Sequence, residues 1–120
     1  LYVEDHVAAL FAVINFGKIG DTYCIGSRNE IRNIDLIGKV CEILDRKIQH
    51  KFTHFTKHSD LIVFVEDRLG HDQRYSINPR KIEKELGWQS SVEFDYGLEK
   101  TVEWYIANQN WVNDVCKKAH

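Results

Sequence analysis

A chain of 120 residues can build one hydrophobic core, and 43% hydrophobic and 28% charged residues with a single proline exclude a disordered or low-complexity polypeptide. Sixteen Lys and Arg against eighteen Asp and Glu leave a net charge of -2, so no global field steers the chain toward nucleic acid or anionic lipid. An anion site must therefore be local. No apolar run approaches the roughly 20 residues that span a bilayer, and no signal peptide is visible. Cys24, Cys41 and Cys116 are an odd set without paired short spacing, which predicts free thiols and a reducing, cytoplasmic location.

In chain order, "LYVEDHVAALFAVINFG" has apolar residues at Val7, Ala8, Leu10, Phe11, Val13 and Ile14. That spacing predicts a helix with a broad buried face, ending near Gly17. The pattern is already under way at Leu1, and the sequence contains no methionine. A piece of a longer protein, lacking its N-terminal part, is the expectation. "DTYCIG" is a short β-prone run closed by Gly26, and "SRNEIRN" is a polar loop. Asn33 or Asp35 then starts a helix with Ile34, Ile37, Val40, Cys41 and Leu44 at the helical period.

"IQHKFTHFTKHSD" is polar, aromatic and aperiodic, and reads as loop. The continuous apolar run "LIVFVE" predicts a buried strand, and "RYSI" a second short one. "NPRKIEKELG" is sharply punctuated: Asn78 as N-cap, Pro79 at the first helical position, Gly87 as terminator. Beyond Trp88, "FDYGLEKTVEWYIANQNWVNDV" places Phe94, Leu98, Val102, Tyr105 and Ile106 at helical spacing. Short strands between helices give an α/β class in a single domain.

Four patterns could carry chemistry. His50, His54 and His58 are spaced by four, as zinc ligands on one helix face would be. Their threonines and phenylalanines make a poor helix and no carboxylate or thiolate completes the set, so a solvated loop is the better reading and no metal is expected. Tyr96 and Lys100 match the Tyr-x-x-x-Lys pair of short-chain dehydrogenases. Any amphipathic helix can place them so, and no glycine-rich turn or preceding hydroxyl supports a catalytic role. The cysteines lack the basic neighbours of a thiolate nucleophile and are expected to be small packed residues, with Cys116 exposed near the end.

The fourth pattern is "DRLGHDQRYSINPRKIEKELGW". There Arg68 can fork two donors onto a phosphate, and His71 follows beyond a Leu69-Gly70 turn. The residues alone favour the plainer reading, in which Arg68 pairs with Asp67 or Glu66 on the surface while His71 caps a turn. Asn33 is open in the same way, as helix N-cap or as ligand amide.

"LYVEDHVAAL", "GDTYCIGSRNEIRNIDLI", the Asp-Arg-x-Gly-His-Asp-x-Arg-Tyr block with Glu-Leu-Gly-Trp, and "EFDYGLEKTVEWYIANQNW" together resemble the dTDP-glucose 4,6-dehydratase family of extended short-chain dehydrogenases/reductases. The likeness is to the C-terminal portion and runs almost end to end. The family writes proline where Leu69 stands. By that resemblance, Asn33, Asp67, Arg68, Leu69, Gly70 and His71 bind the nucleotide sugar, and no residue of this chain is catalytic or touches NAD. Residues 1–120 would be a small C-terminal substrate-binding domain. The NAD-binding Rossmann domain, with its glycine-rich turn and catalytic groups, would lie in chain preceding Leu1, as would a further family arginine.

The reaction implied for the parent is that of an NAD-dependent lyase. Hydride leaves C4 of the glucose unit, water is lost across C5 and C6, and hydride returns at C6, giving dTDP-4-dehydro-6-deoxy-D-glucose for deoxysugar synthesis. The resemblance also implies a homodimeric parent, no nucleic-acid or membrane partner, and a fragment inactive and marginally stable alone. Competing readings are an epimerase, decarboxylase or dehydratase for UDP-, CDP- or GDP-sugars, a stand-alone nucleotide-sugar binding module, and a structural domain without ligand.

Overall fold

Helix α1, Val3–Phe16, leads a computed structural model that describes residues 1–48, 54–66, 69–70 and 76–118. It is followed by α2 (Asn33–Lys47), a 3₁₀ turn (His58–Leu61), α3 (Arg80–Leu86), α4 (Phe94–Ala107) and α5 (Gln109–Lys118). Among the described residues there is no β-strand, so the expected short strands are not seen there. Residues 21–27 run irregularly, with Tyr23 and Ile25 packed onto the core. Part of "RYSI" lies outside the described residues, and Ser76 and Ile77 are irregular.

The run "LIVFVE" is corrected most sharply. Val63, Phe64 and Val65 are 77%, 84% and 82% exposed. A buried strand needs a neighbour that supplies both its ladder and its cover, and no described segment does so.

The helix ends follow local chemistry. α1 stops at Gly17, whose amide donates to the Val13 carbonyl at 2.8 Å. A Cβ at Gly17 would sit 2.5 Å from that carbonyl oxygen and 3.3 Å from the Tyr23 ring, so close approach rather than φ selects glycine. Gly87 closes α3 in the left-handed region, at φ 66°. α3 starts at Arg80, one residue later than predicted, with Asn78 Oδ1 accepting from the Arg80 amide at 3.1 Å. α4 is capped by Glu93, which accepts from the Asp95 and Tyr96 amides. The single C-terminal helix expected from the sequence breaks at Asn108, whose side chain donates to the Trp104 carbonyl and competes with the ladder there.

Two packed units result. In the first, Ala9 of α1, Ile82 of α3 and Trp88 form a buried cluster, with Ala12, Val13, Tyr23, Ile25 and Leu86 around it. Asp5 is buried beside this unit and accepts from the Ser91 amide and hydroxyl and the Val92 amide at 2.8–3.1 Å. Burial pushes the Asp5 pKa up, but the donors at Val92 and Ser91 outweigh it and hold the carboxyl below its usual range.

In the second unit α2 packs on α4 and on the 3₁₀ turn, burying Cys41, Ile43 and Val102. Its rim is ionic. Lys47 bridges Glu99 and Glu103 at 2.7 and 2.8 Å, and Lys39 meets Asp95 at 2.6 Å. His58 ties the turn to α2 by donating its amide to Asp45 Oδ1 at 3.0 Å, with its ring Nδ1 on the same oxygen. Those contacts hold the Asp45 carboxyl below its ordinary value.

The broad buried face predicted for α1 is also corrected. Asp5 and Ala9 are its buried residues, whereas Phe11 and Ile14 are 64% and 79% exposed. The Cα radius of gyration is 17.9 Å, against about 14 Å for a compact domain of this length. Much of the apolar surface that the sequence commits to burial has no cover within the described residues.

Candidate functional site

Asn33 is the first residue of α2 and exposed, and the residue that caps this end is Arg32. Arg32 also forks onto Asp35, its Nε and Nη2 donating at 2.7 and 2.9 Å. The N-cap role that the sequence left open for Asn33 is thereby removed. Its amide stands at a helix N-terminus, where backbone N–H groups and the helix dipole favour an anion.

Leu69 and Gly70 form a turn, with Leu69 fully exposed and Gly70 at φ 74°, a conformation that favours glycine. Asp67, Arg68 and His71 lie outside the described residues, so the meeting of the donors at 33, 68 and 71 is an expectation and not an observation.

What is visible is the base from which both candidate segments spring. Gly26 is buried against Ile77, and a Cβ there would sit 3.1 Å from the Ile77 Cβ. Arg28 Nε and Nη2 donate to Glu83 Oε1 and Oε2 at 3.2 and 2.5 Å. Ser76 Oγ donates to Glu30 Oε1 at 2.7 Å. These ties join the loop that enters Asn33 to the segment that follows the 71–75 stretch. Between them lies a cavity of about 380 Å³ lined by Arg28, Glu30 and residues 76–80. No local pattern signals the Arg28–Glu83 contact, because its members are 55 residues apart.

A larger cavity of about 730 Å³ lies elsewhere, between the start of α1, α4 and α5. Trp104, Tyr105 and Trp111 pack edge-to-face along it, with ring centroids 5.1–6.4 Å apart. Asn33 is not among its described lining residues. The Tyr96–Lys100 pair does not correspond to that chemistry either. Lys100 reaches Glu103 at 3.1 Å and lies over the Tyr96 ring at 5.6 Å, a helix-surface arrangement.

Of the three spaced histidines, His50 lies outside the described residues and His58 is committed to Asp45. No group of three potential metal ligands gathers among the described residues. Cys41 is buried, which pushes its thiol pKa up, while Cys24 and Cys116 are exposed. The expected packing of Cys24 is thus corrected: it faces outward between the inward Tyr23 and Ile25. No described helix is long and apolar enough to cross a membrane.

The entry to α2 is not a dinucleotide cradle. α2 is entered from Gly26 through six non-glycine residues without a preceding strand, unlike the glycine-rich strand-to-helix turn that cradles a dinucleotide.

A family model described as "GDP-mannose 4,6 dehydratase" matches residues 1–101. The chain is 46% identical over 120 residues to a dTDP-glucose 4,6-dehydratase of Escherichia coli, covering 100% of this chain and 32% of that protein. It is 47% identical over 115 residues to that of Shigella flexneri, covering 96% and 31%. A crystal structure of dTDP-glucose 4,6-dehydratase from Bacillus anthracis str. Ames in complex with NAD superposes with a TM-score of 0.75 at 34% identity, covering 92% of this chain and 32% of that one. The chain therefore spans about a third of the length of these relatives.

Proposed function

The chain belongs to the GDP-mannose 4,6 dehydratase family, and from that premise we propose that residues 1–120 are the C-terminal, nucleotide-sugar-gripping portion of an NAD-dependent dTDP-glucose 4,6-dehydratase. The observation that carries this reading is identity of 46% along the whole chain with an enzyme of that name. The donor set suits the task. A dTDP-sugar presents a diphosphate. Arg68 supplies a forked guanidinium, His71 an imidazole and Asn33 an amide at a helix N-terminus, with Asp67, Leu69 and Gly70 completing the loop.

The role is grip rather than bond-making. Hold on the remote nucleotide places the hexose against reacting groups supplied by the rest of the parent, and the binding energy is used for orientation. NAD, in this reading, is held by a Rossmann domain in that remainder, and the parent is a cytoplasmic homodimer. The α/β class is completed there too. The exposed Val63, Phe64 and Val65 and the apolar stripe of α1 find their cover against the remainder of the parent, so residues 1–120 expressed alone are inactive and marginally stable. A cooperative thermal transition of the isolated segment well above about 60 °C, high for a mesophilic domain, would contradict this.

Calorimetric titration of dTDP-glucose into the full-length protein tests the grip. Arg68→Ala is expected to weaken binding by at least about tenfold, the scale of one lost charged hydrogen-bond pair. Equal affinities for variant and wild type would remove Arg68 from the site. A second reading, a GDP-sugar dehydratase, is favoured by the description of the matching family model. Turnover of GDP-mannose and not dTDP-glucose by the full-length protein would establish it in place of the first.

A further inference from the structure

We infer that Arg28 and Glu83 are positioning residues for the nucleotide sugar, their forked ion pair setting the loop that carries Asn33 against the segment that returns from the 67–71 loop. The inference rests on the grip proposed above and extends it to residues that touch no ligand.

Glu83 is a fixed point. It follows Ile82, which is fully buried against Ala9 and Trp88, and it sits within a helix ended by the left-handed Gly87. Its side chain is 18% exposed, whereas that of Arg28 is 61% exposed. The ordered partner is therefore the carboxylate, and the guanidinium is drawn to it. Two parallel donors restrict the Arg28 plane as a single lysine contact could not. Because Glu83 occupies both Nε and Nη2, the charge of Arg28 is matched locally and is not offered to a diphosphate.

The two flanking ties have the same effect. Gly26 approaches Ile77 too closely for a side chain, and Ser76 donates to Glu30. All three contacts lie before Asn33 in one segment and after His71 in the other. A shift at this base would displace Asn33 relative to residues 76–80, and misplacement of a gripping group by about 1 Å is enough to cost binding and orientation.

Steady-state kinetics of the full-length protein with dTDP-glucose, beside thermal denaturation, provide the test. Arg28→Ala and Glu83→Ala should each raise KM about fivefold, the scale of a partly solvated pair, and lower kcat as well, because a loosened grip costs both binding and the orientation it supplies. The double alanine variant should be no worse than either single one. Arg28→Lys, which keeps the charge and loses the fork, should fall between, and the reversed pair Arg28→Glu with Glu83→Arg should recover part of the loss.

Wild-type KM in both alanine variants, with KM raised in Arg68→Ala, would overturn the positioning role and leave the grip standing. Wild-type KM in Arg68→Ala would overturn the grip and this inference with it. A KM rise that simply tracks a fall in melting temperature, with no recovery in the reversed pair, would reduce Arg28–Glu83 to a structural contact.

Discussion

The α1–α3 unit and the α2–α4 unit are held by different contacts. The first closes on Ala9, Ile82 and Trp88, with one buried carboxylate fully supplied with donors. The second buries Cys41, Ile43 and Val102 and is laced at its rim by Lys39, Lys47, Asp95, Glu99 and Glu103. Apolar burial is insensitive to ionic strength in the low-salt range, while exposed pairs are screened. The loop that carries Asn33 is anchored to the first unit through Arg28–Glu83. The anchor thus stands on a helix whose buried face is apolar, while the pair itself, with Arg28 61% exposed, is screened by salt.

The comparison breaks most readily at Ile82. Its side chain is fully buried, so Ile82→Ala in the full-length protein should cost about 2–5 kcal/mol in chemical denaturation, the range for core truncations that leave a cavity. A loss below about 1 kcal/mol would mean that the site collapses around the smaller side chain and that the unit is not rigid.

Asp5→Asn should come next, at roughly 1–3 kcal/mol, since the amide cannot accept from every donor that the carboxylate satisfies. The pH dependence has a definite sign. The folded pKa is lowered, so the contribution of Asp5 is complete above its unfolded value of about 3.9 and is lost as pH falls through the folded value. The gap between wild type and Asp5→Asn should therefore be constant near neutrality and close in acid below about pH 4. A gap that instead closes as pH rises would contradict the assignment.

What the sequence made legible divides along the same line between local and distant causes. Gly17, Asn78 and Gly87 mark helix ends because the reason for each lies within a few residues. The start of α2 at Asn33 was readable for the same reason, although its cap is Arg32. Asp5 gave no signal of its buried role, because Ser91 and Val92 lie 86 and 87 residues away. Hydrophobic patterning reports that a surface is meant to be covered without saying what covers it. The run 61–66 and the stripe on α1 were consequently read as buried, and no described segment covers them. The residues at 67, 68 and 71 become distinct from ordinary loop polarity through family resemblance, since spacing alone leaves both readings open.

The smallest effect belongs to the ionic rim and discriminates most cleanly between the units. Contacts with Glu103 and Glu99 raise the Lys47 pKa, so removing the ammonium leaves two facing carboxylates unmatched. Lys47→Met keeps the apolar stem and removes the charge, and it should lower the melting temperature of the full-length protein slightly at low salt. The difference should vanish near 1 M salt, where the screening length is about 3 Å. Ile82→Ala should retain its full deficit there, because it removes buried apolar volume rather than charge. If the Lys47→Met deficit also persists at high salt, the α2–α4 contact depends on packing of the lysine stem and not on its charge, and the two units do not differ in kind.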